Sequence, residues 1–139
     1  MKTIKQTFAL LIALLTINVV VAQNETFTIK IEVTGLKSSE GKVLIEVLDK
    51  NQQSVADAKG EITNNKSVVE FKNLPAGTYA IQYYHDENNN DEMDTGMFGI
   101  PLEGYGFSND ARGFMGPPDF EDELFNLDRD LTLVLTTKN

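Results

Sequence analysis

The sequence predicts an all-β domain folded as a single antiparallel β-sandwich of about seven strands. Several segments alternate apolar and polar residues with a period of two, which is typical of strands that bury one face. Glycine, proline and asparagine separate these segments, and no segment of any length shows the period of an amphipathic helix. Successive strands without intervening helices favour two packed sheets.

Five segments carry the strand pattern most clearly. They are residues 26–33, 42–48, 67–71, 78–84 and 131–137. Residues 51–65 are polar and predict a loop with a weak edge strand, and residues 120–125 predict one short turn of helix with Asp119 as its cap. The apolar faces predict a core built mainly from Phe27, Ile29, Ile31, Val43, Ile45, Val47, Tyr79, Ile81, Leu131 and Leu133.

Residues 1–22 have the parts of a secretion signal. Lys2 and Lys5 provide positive charge, a nearly unbroken apolar run follows, and Ala22 ends it with a small side chain. The run is shorter than the roughly 20 apolar residues of a spanning helix. We therefore expect cleavage after Ala22 and one secreted or periplasmic domain over residues 23–139, without membrane insertion. An uncleaved anchor is the alternative.

The predicted mature domain is acidic and contains no cysteine. The chain has a formal net charge of −9, and removal of Lys2 and Lys5 makes this charge two units more negative. Such a surface repels phosphate, so we expect no nucleic-acid partner. No disulfide can stabilise the fold. The charge is compatible with cation binding, and equally with a role in solubility alone.

Residues 85–123 form a long segment that is rich in glycine, asparagine, aspartate and proline and lacks strand alternation. Ordered loops of this length are usually functional. The segment also contains many large apolar side chains, so we expect a loop held by its own small core. These side chains are Met97, Phe98, Ile100, Leu102, Tyr105, Phe107, Phe114, Met115 and Phe120. An exposed aromatic platform for a sugar or a peptide is the alternative.

The start of this loop has the spacing of a calcium-binding loop. Asp86, Asn88, Asn90 and Asp94 place side-chain oxygens at relative positions 1, 3, 5 and 9. Glu92 stands at position 7, where a backbone carbonyl usually binds the ion. Calcium takes about six to eight oxygen ligands, and alternate residues in a tight turn direct their oxygens at one centre. The spacing therefore predicts a calcium site.

Two positions depart from that pattern. Position 6 is Asp91 instead of glycine, although aspartate tolerates the left-handed conformation that the turn requires. Position 12 is Met97 instead of glutamate, so another carboxylate must complete the shell, and Glu103 and Asp110 are the candidates. A metal-free turn held by hydrogen bonds between side chains and backbone is the alternative.

His85, the single histidine, adjoins the loop. We expect it to be a strand-end residue that hydrogen-bonds the loop, because one histidine without cysteine cannot build the common zinc sites. The sequence also shows no recognisable Ser-His-Asp or Cys-His arrangement for nucleophilic catalysis. We therefore expect no enzymatic activity. A hydrolase that uses His85 with Asp86 or Glu103 is the alternative.

Residues 74–79 read L-P-A-G-T-Y, a turn that resembles those of transthyretin-like and related Ig-like sandwich domains of secreted proteins. Three further motifs are H-D-x-N-x-N-x-x-x-D at 85–94, G-I-P-L-E-G-Y-G-F-S-N at 99–109 and G-P-P-x-F at 116–120. With them, the chain resembles the secreted bacterial family catalogued as domain of unknown function 2141, which usually has glycine where this chain has Asp91. The resemblance implies a fold and a secretory setting but no substrate.

Three functions follow as hypotheses. The first is a secreted, non-catalytic β-sandwich module that binds an unknown protein or glycan and has a calcium-stabilised loop. The second is a metal-free structural or protein-interaction domain of the cell envelope. The third is the hydrolase that uses His85 and nearby carboxylates.

Overall fold

The structure, a computed structural model, describes residues 24–139. The predicted signal peptide and its cleavage site lie outside the described residues. Most of the described chain is β-strand. The strands are β1 (Thr26–Thr34), β2 (Lys42–Asp49), β3 (Ser54–Gly60), β4 (Ile62–Thr63), β5 (Lys66–Pro75), β6 (Gly77–Asp86), β7 (Tyr105–Phe107), β8 (Phe125–Leu127) and β9 (Leu131–Thr136). Two short 3₁₀ turns (Met97–Gly99 and Ser108–Asp110) and one helical turn, α1 (Phe120–Glu123), complete it.

The strands form two sheets. One has the order β4-β5-β1-β9, and the other has the order β3-β2-β6-β7, with β8 also paired to β6. The predicted all-β sandwich is confirmed. One pair departs from a purely antiparallel arrangement, because β9 runs parallel to β1. The chain passes through the whole second sheet before β9 returns to the free edge of β1, and a connection of that length permits a parallel pair.

The two sheets enclose one hydrophobic core. Every predicted core residue belongs to it, with Phe27, Leu131 and Leu133 half-buried at its margin. Its fully buried centre includes Ile29, Ile31, Val43, Val47 and Ile81. The alternation of apolar residues along β1, β2 and β6 therefore identified the inner faces of the sheets correctly, because successive side chains of a strand point to opposite faces.

The predicted segments have the right positions, and several strands are longer than predicted. The polar segment forms two edge strands, β3 at an edge of the second sheet and β4 at an edge of the first. The predicted edge strand is therefore confirmed. Strand β7 was not predicted, and it pairs with β6 inside the segment expected to lack strands. Its central Gly106 lies against the Tyr83 ring, where any side chain would collide. The close packing requires glycine at this position, and glycine hides the alternation of apolar and polar residues that would have indicated a strand.

The region that follows β7 is attached to β6 by the fully buried Ser108. The backbone N–H of Ile81 donates to Ser108 Oγ at 2.9 Å, and Ser108 Oγ donates to the carbonyl of Glu123. Helical turn α1 is confirmed, but the Asp119 side chain makes no capping hydrogen bond. Among residues 24–139, no helix has the length and apolar character needed to cross a membrane.

Candidate metal site

The predicted calcium loop begins at the end of a central strand. Asp86 is the last residue of β6 and pairs in register with Lys42, the first residue of β2. Its side chain is fully buried. A buried carboxylate needs hydrogen-bond donors or a cation as partners, so the surroundings of Asp86 determine the conformation of the loop.

Backbone amides of the loop fold back onto this carboxylate. The N–H of Asn90 donates to Asp86 Oδ1 at 3.0 Å, and the N–H of Asp91 donates to Asp86 Oδ2 at 2.9 Å. The two amides come from relative positions 5 and 6, so position 1 closes the turn on itself. Each carboxylate oxygen can accept more than one hydrogen bond or ligand.

The two asparagines make consecutive side-chain turns. The N–H of Asn90 also donates to Asn88 Oδ1 at 3.1 Å, and the N–H of Glu92 donates to Asn90 Oδ1 at 2.9 Å. Both side-chain amides then donate to Asp94, from Asn88 Nδ2 to Oδ2 at 2.6 Å and from Asn90 Nδ2 to Oδ1 at 3.1 Å. The side chains of Asn88, Asn90 and Asp94 are therefore in contact, but the two asparagines direct their amide nitrogens and not their oxygens toward Asp94.

Asp91 occupies position 6 in the left-handed conformation, with φ of 63°. Its Oδ1 is 2.7 Å from Lys42 Nζ and 2.9 Å from Lys59 Nζ. The hydrogen bond from Lys42, followed by that from Lys59, lowers the pKa of Asp91. The two lysine contacts compensate for the backbone strain that glycine would avoid. Local sequence patterns do not reveal either lysine, because both belong to strands distant in the chain.

Glu103 completes the cluster from the far side of the loop. Its side chain is 6 % exposed. Its Oε1 accepts the N–H of Glu87 at 2.9 Å, and its Oε2 accepts the N–H of Asp94 at 3.0 Å. Of the two candidate carboxylates, the structure thus brings Glu103 to the loop. Asp110 instead accepts the N–H of Thr136 in β9 at 2.7 Å.

Glu92 is exposed, and its contact with the loop is through its own backbone N–H. Within residues 24–139, no three His, Cys, Asp or Glu side chains group closely enough to hold a metal ion by themselves. A cation at this loop therefore requires the asparagine oxygens as well. The donors are all hard oxygens, which fits calcium and does not fit zinc.

His85 is fully buried on the inner face of β6. Its ring Nε2 lies 2.7 Å from the carbonyl oxygen of Glu40, which only accepts, so Nε2 carries the proton and donates. Its Nδ1 has no hydrogen-bond partner among the described residues. This ring partner lies in the turn before β2, whereas the backbone N–H of His85 makes the expected hydrogen bond to the long loop, at the carbonyl of Gly104. A substrate has no direct access to this imidazole.

The prediction that the loop has its own core is wrong for most of its apolar residues. Phe98 is 93 % exposed, Phe114 is 94 % exposed and Met115 is 92 % exposed. Met97, Ile100 and Leu102 are exposed as well. Phe98 and Met115 lie in turns with positive φ, and neither belongs to the core that the two sheets enclose. Of the predicted loop core, Tyr105, Phe107 and Phe120 are half-buried.

Comparison with known proteins identifies a matching family. A sequence profile of a family described as an uncharacterized protein conserved in bacteria matches residues 31–134, which include the complete loop from Asp86 to Glu103. No curated protein and no solved structure matches the chain. Because the profile spans three-quarters of the sequence and both sheets, the chain belongs to the bacterial family DUF2141.

Proposed function

We propose that this protein is a secreted, non-catalytic β-sandwich module in which calcium stabilises the loop from Asp86 to Glu103, next to a surface that binds a protein or glycan partner. One observation supports the calcium site above all. Asn88 and Asn90 both contact Asp94, Asp86 accepts the backbone N–H groups of Asn90 and Asp91, and Glu103 accepts those of Glu87 and Asp94.

A calcium ion at this loop competes with existing hydrogen bonds. The Nδ2 groups of Asn88 and Asn90 donate to Asp94, and ion binding replaces these two bonds with oxygen ligands. The bidentate glutamate of position 12 is also missing. The expected dissociation constant is therefore modest, on the order of 10⁻⁴ to 10⁻³ M, as in extracellular calcium modules. The irregular turn disfavours the strict octahedral geometry of Mg²⁺.

Calcium titration of the purified chain tests this proposal. Free calcium at about ten times the dissociation constant will stabilise the fold by roughly 1.4 kcal/mol, because the ion binds only the folded state. We expect a higher melting temperature, slower proteolysis within residues 97–116, and a smaller effect of Mg²⁺ at equal concentration. A self-bonded turn shows no heat of binding and no shift with millimolar calcium, and that result would refute the proposed site.

A substitution of Asn88, at position 3, distinguishes a calcium-binding loop from a metal-free turn. Asn88→Asp removes the amide that donates to Asp94 and places two carboxylates side by side, so it will lower the melting temperature in chelator. In calcium the added carboxylate becomes a ligand, and the affinity will rise by about tenfold. Asn89→Asp, the matched control, adds the same charge at a neighbouring exposed residue outside the alternate positions. Destabilisation of Asn88→Asp in both buffers would indicate a metal-free turn.

Exposed apolar residues support a binding role for the same region. Among the large hydrophobic residues exposed in the described chain, most lie between residues 97 and 115, on the loop. Exposed apolar side chains that cluster in one region are a usual feature of interaction surfaces. A calcium-ordered loop would present them in one arrangement. In a metal-free envelope domain the same residues would remain available to a protein partner.

The predicted removal of the signal peptide defines the N-terminus of the mature protein. The short apolar run and the small residue Ala22 predict that the exported protein begins at Gln23. Intact-mass measurement of protein from the periplasm or the medium will give the mass of residues 23–139. Recovery of a membrane-bound species that keeps residues 1–22 would show that the segment is an anchor.

A further inference from the structure

The outer face of the second sheet forms the floor of a groove of about 730 Å³. Cross-strand registers place two rows of side chains there. Leu44 pairs with Lys59 and Tyr84, and Tyr84 pairs with Tyr105. In the next row outward, Glu46 pairs with Asp57 and Gln82, and Gln82 pairs with Phe107. The floor is thus aromatic at β7 and acidic at β2 and β3.

Loop residues form the other walls of this groove. Met93 comes from the candidate calcium loop, and Pro118 and Phe120 come from the segment that leads into α1. Tyr105 and Phe107 are already fixed in an edge-to-face arrangement, with ring centroids 5.9 Å apart and planes at 78°. A concave, largely apolar cleft with a few converging polar groups is the usual form of a small-molecule site, and the volume is in the usual range.

The polar groups of the groove carry an excess of negative charge. Glu46 and Asp57 stand directly opposite each other, an arrangement that destabilises a sheet when both are charged. Among residues 24–139, neither makes an ion pair. Lys59, the one basic residue of the lining, is bound to Asp91 in the neighbouring loop. Within residues 24–139, the two carboxylates therefore have no basic side chain at ion-pair distance.

A third carboxyl group lies deeper in the groove. Glu123 is 2 % exposed and accepts a hydrogen bond from Gln82 Nε2 at 2.9 Å. Burial raises its pKa, and the hydrogen bond from Gln82 opposes that change. A cation in the groove would stabilise the charged form of this group. Tyr105 also already interacts with one cation, since Lys138 Nζ lies 5.7 Å from the centre of its ring.

We infer that the groove binds a small organic cation, an ammonium or guanidinium group carried on an apolar body. The carboxylates of Glu46 and Asp57 attract the charge. The rings of Tyr84, Phe107 and Phe120 contact the apolar body, and a cation next to aromatic faces is further stabilised. The groove shares Met93 with the calcium loop but none of the candidate calcium ligands, so this site goes beyond the function proposed above.

A matched series of three ligands tests the inference. The probes are 2-phenylethylamine, the neutral 2-phenylethanol and the anionic 3-phenylpropanoate, which share the apolar body and differ in charge. Methyl-labelled methionine is a suitable reporter, because Met93 lines the groove whereas Met97 and Met115 are exposed on the loop. We expect the amine to shift the Met93 methyl signal alone and to bind about tenfold more tightly than the alcohol. The anion should not bind.

Variants assign the charge recognition to named residues. Glu46→Gln combined with Asp57→Asn keeps the shape of the groove and should weaken amine binding about tenfold while leaving the alcohol unchanged. Glu70→Gln, the matched control, removes an exposed carboxylate from the other sheet and should leave amine binding unchanged. Melting curves confirm that each variant is folded. The titrations are run with calcium and with chelator, so that failure of the groove and failure of the calcium site give different results.

Four outcomes would overturn the inference. Equal affinity for amine, alcohol and anion would remove the role of charge. Shifts of Met97 or Met115 in place of Met93 would locate the ligand elsewhere. Tighter binding of N-acetyl-lysine N-methylamide than of 2-phenylethylamine would indicate the basic side chain of a protein partner instead of a small molecule. Unchanged amine binding in the double variant would exclude the two carboxylates.

Discussion

Ile81→Ala will lower the free energy of unfolding by about 2–5 kcal/mol, provided that the cavity does not collapse. Ile81 is fully buried at the middle of β6 and pairs in register with Val47 of β2. Its side chain contacts the core between the two sheets, where loss of three methyl or methylene groups removes packing on several sides. Urea denaturation with a shared slope for wild type and variant measures the change.

Val134→Ala is the control for this change. Val134 is 56 % exposed on β9, so the same type of truncation should alter stability by no more than about 0.5 kcal/mol. A loss of less than about 1 kcal/mol for Ile81→Ala would contradict the position of Ile81 at the centre of the core. Ile45, 2 % exposed on β2, offers a second test of the same prediction.

Asp86→Ala will destabilise the protein by about 2–4 kcal/mol even in chelator. The truncation leaves the backbone N–H groups of Asn90 and Asp91 without their acceptor, and it removes a carboxylate 3.7 Å from Lys42 Nζ. Calcium should then no longer raise the melting temperature, since position 1 of the loop is lost. Thermal melts with calcium and with chelator measure both effects, and the β-sandwich itself should remain folded.

Asp119→Ala is the matched control, because Asp119 is exposed and its side chain makes no capping hydrogen bond. If Asp86→Ala costs no more than this control, the buried carboxylate does not hold the loop. The metal-free role of Asp86 also means that its truncation cannot alone distinguish a calcium site from a self-bonded turn. Asn88→Asp can do so, because it destabilises one state and strengthens the other.

The strands and the candidate calcium motif are both visible in the sequence for the same reason. Both are local patterns, a period of two along β1, β2 and β6 and an alternate spacing of oxygens from Asp86 to Asp94. Residues outside such patterns were harder to assign. Glu103 was one of two candidates, and the structure selects it because β7 and the strands beside it bring residue 103 back to the start of the loop.

The apolar loop residues show that composition alone does not predict which side chains are buried. The large side chains between Met97 and Met115 predicted a small core beneath the loop, yet most are exposed. Whether an apolar residue is buried depends on the space that other segments leave, and here the two sheets already fill the interior. The count of apolar residues carries no information about that space.

By itself, the sequence determined that this protein is an all-β sandwich with a buried inner face on each central strand and a cluster of oxygen donors after β6. Both features depend on residues close together in the chain. Alternating apolar residues are buried on one face of a strand, and the short side chains of a tight turn reach a common point. Only the tertiary structure decided the parallel return of β9, the lysines that hold Asp91, and the acidic aromatic groove over β2 and β6. Those features depend on which distant strands become neighbours, and this choice is made by the packing of the whole chain.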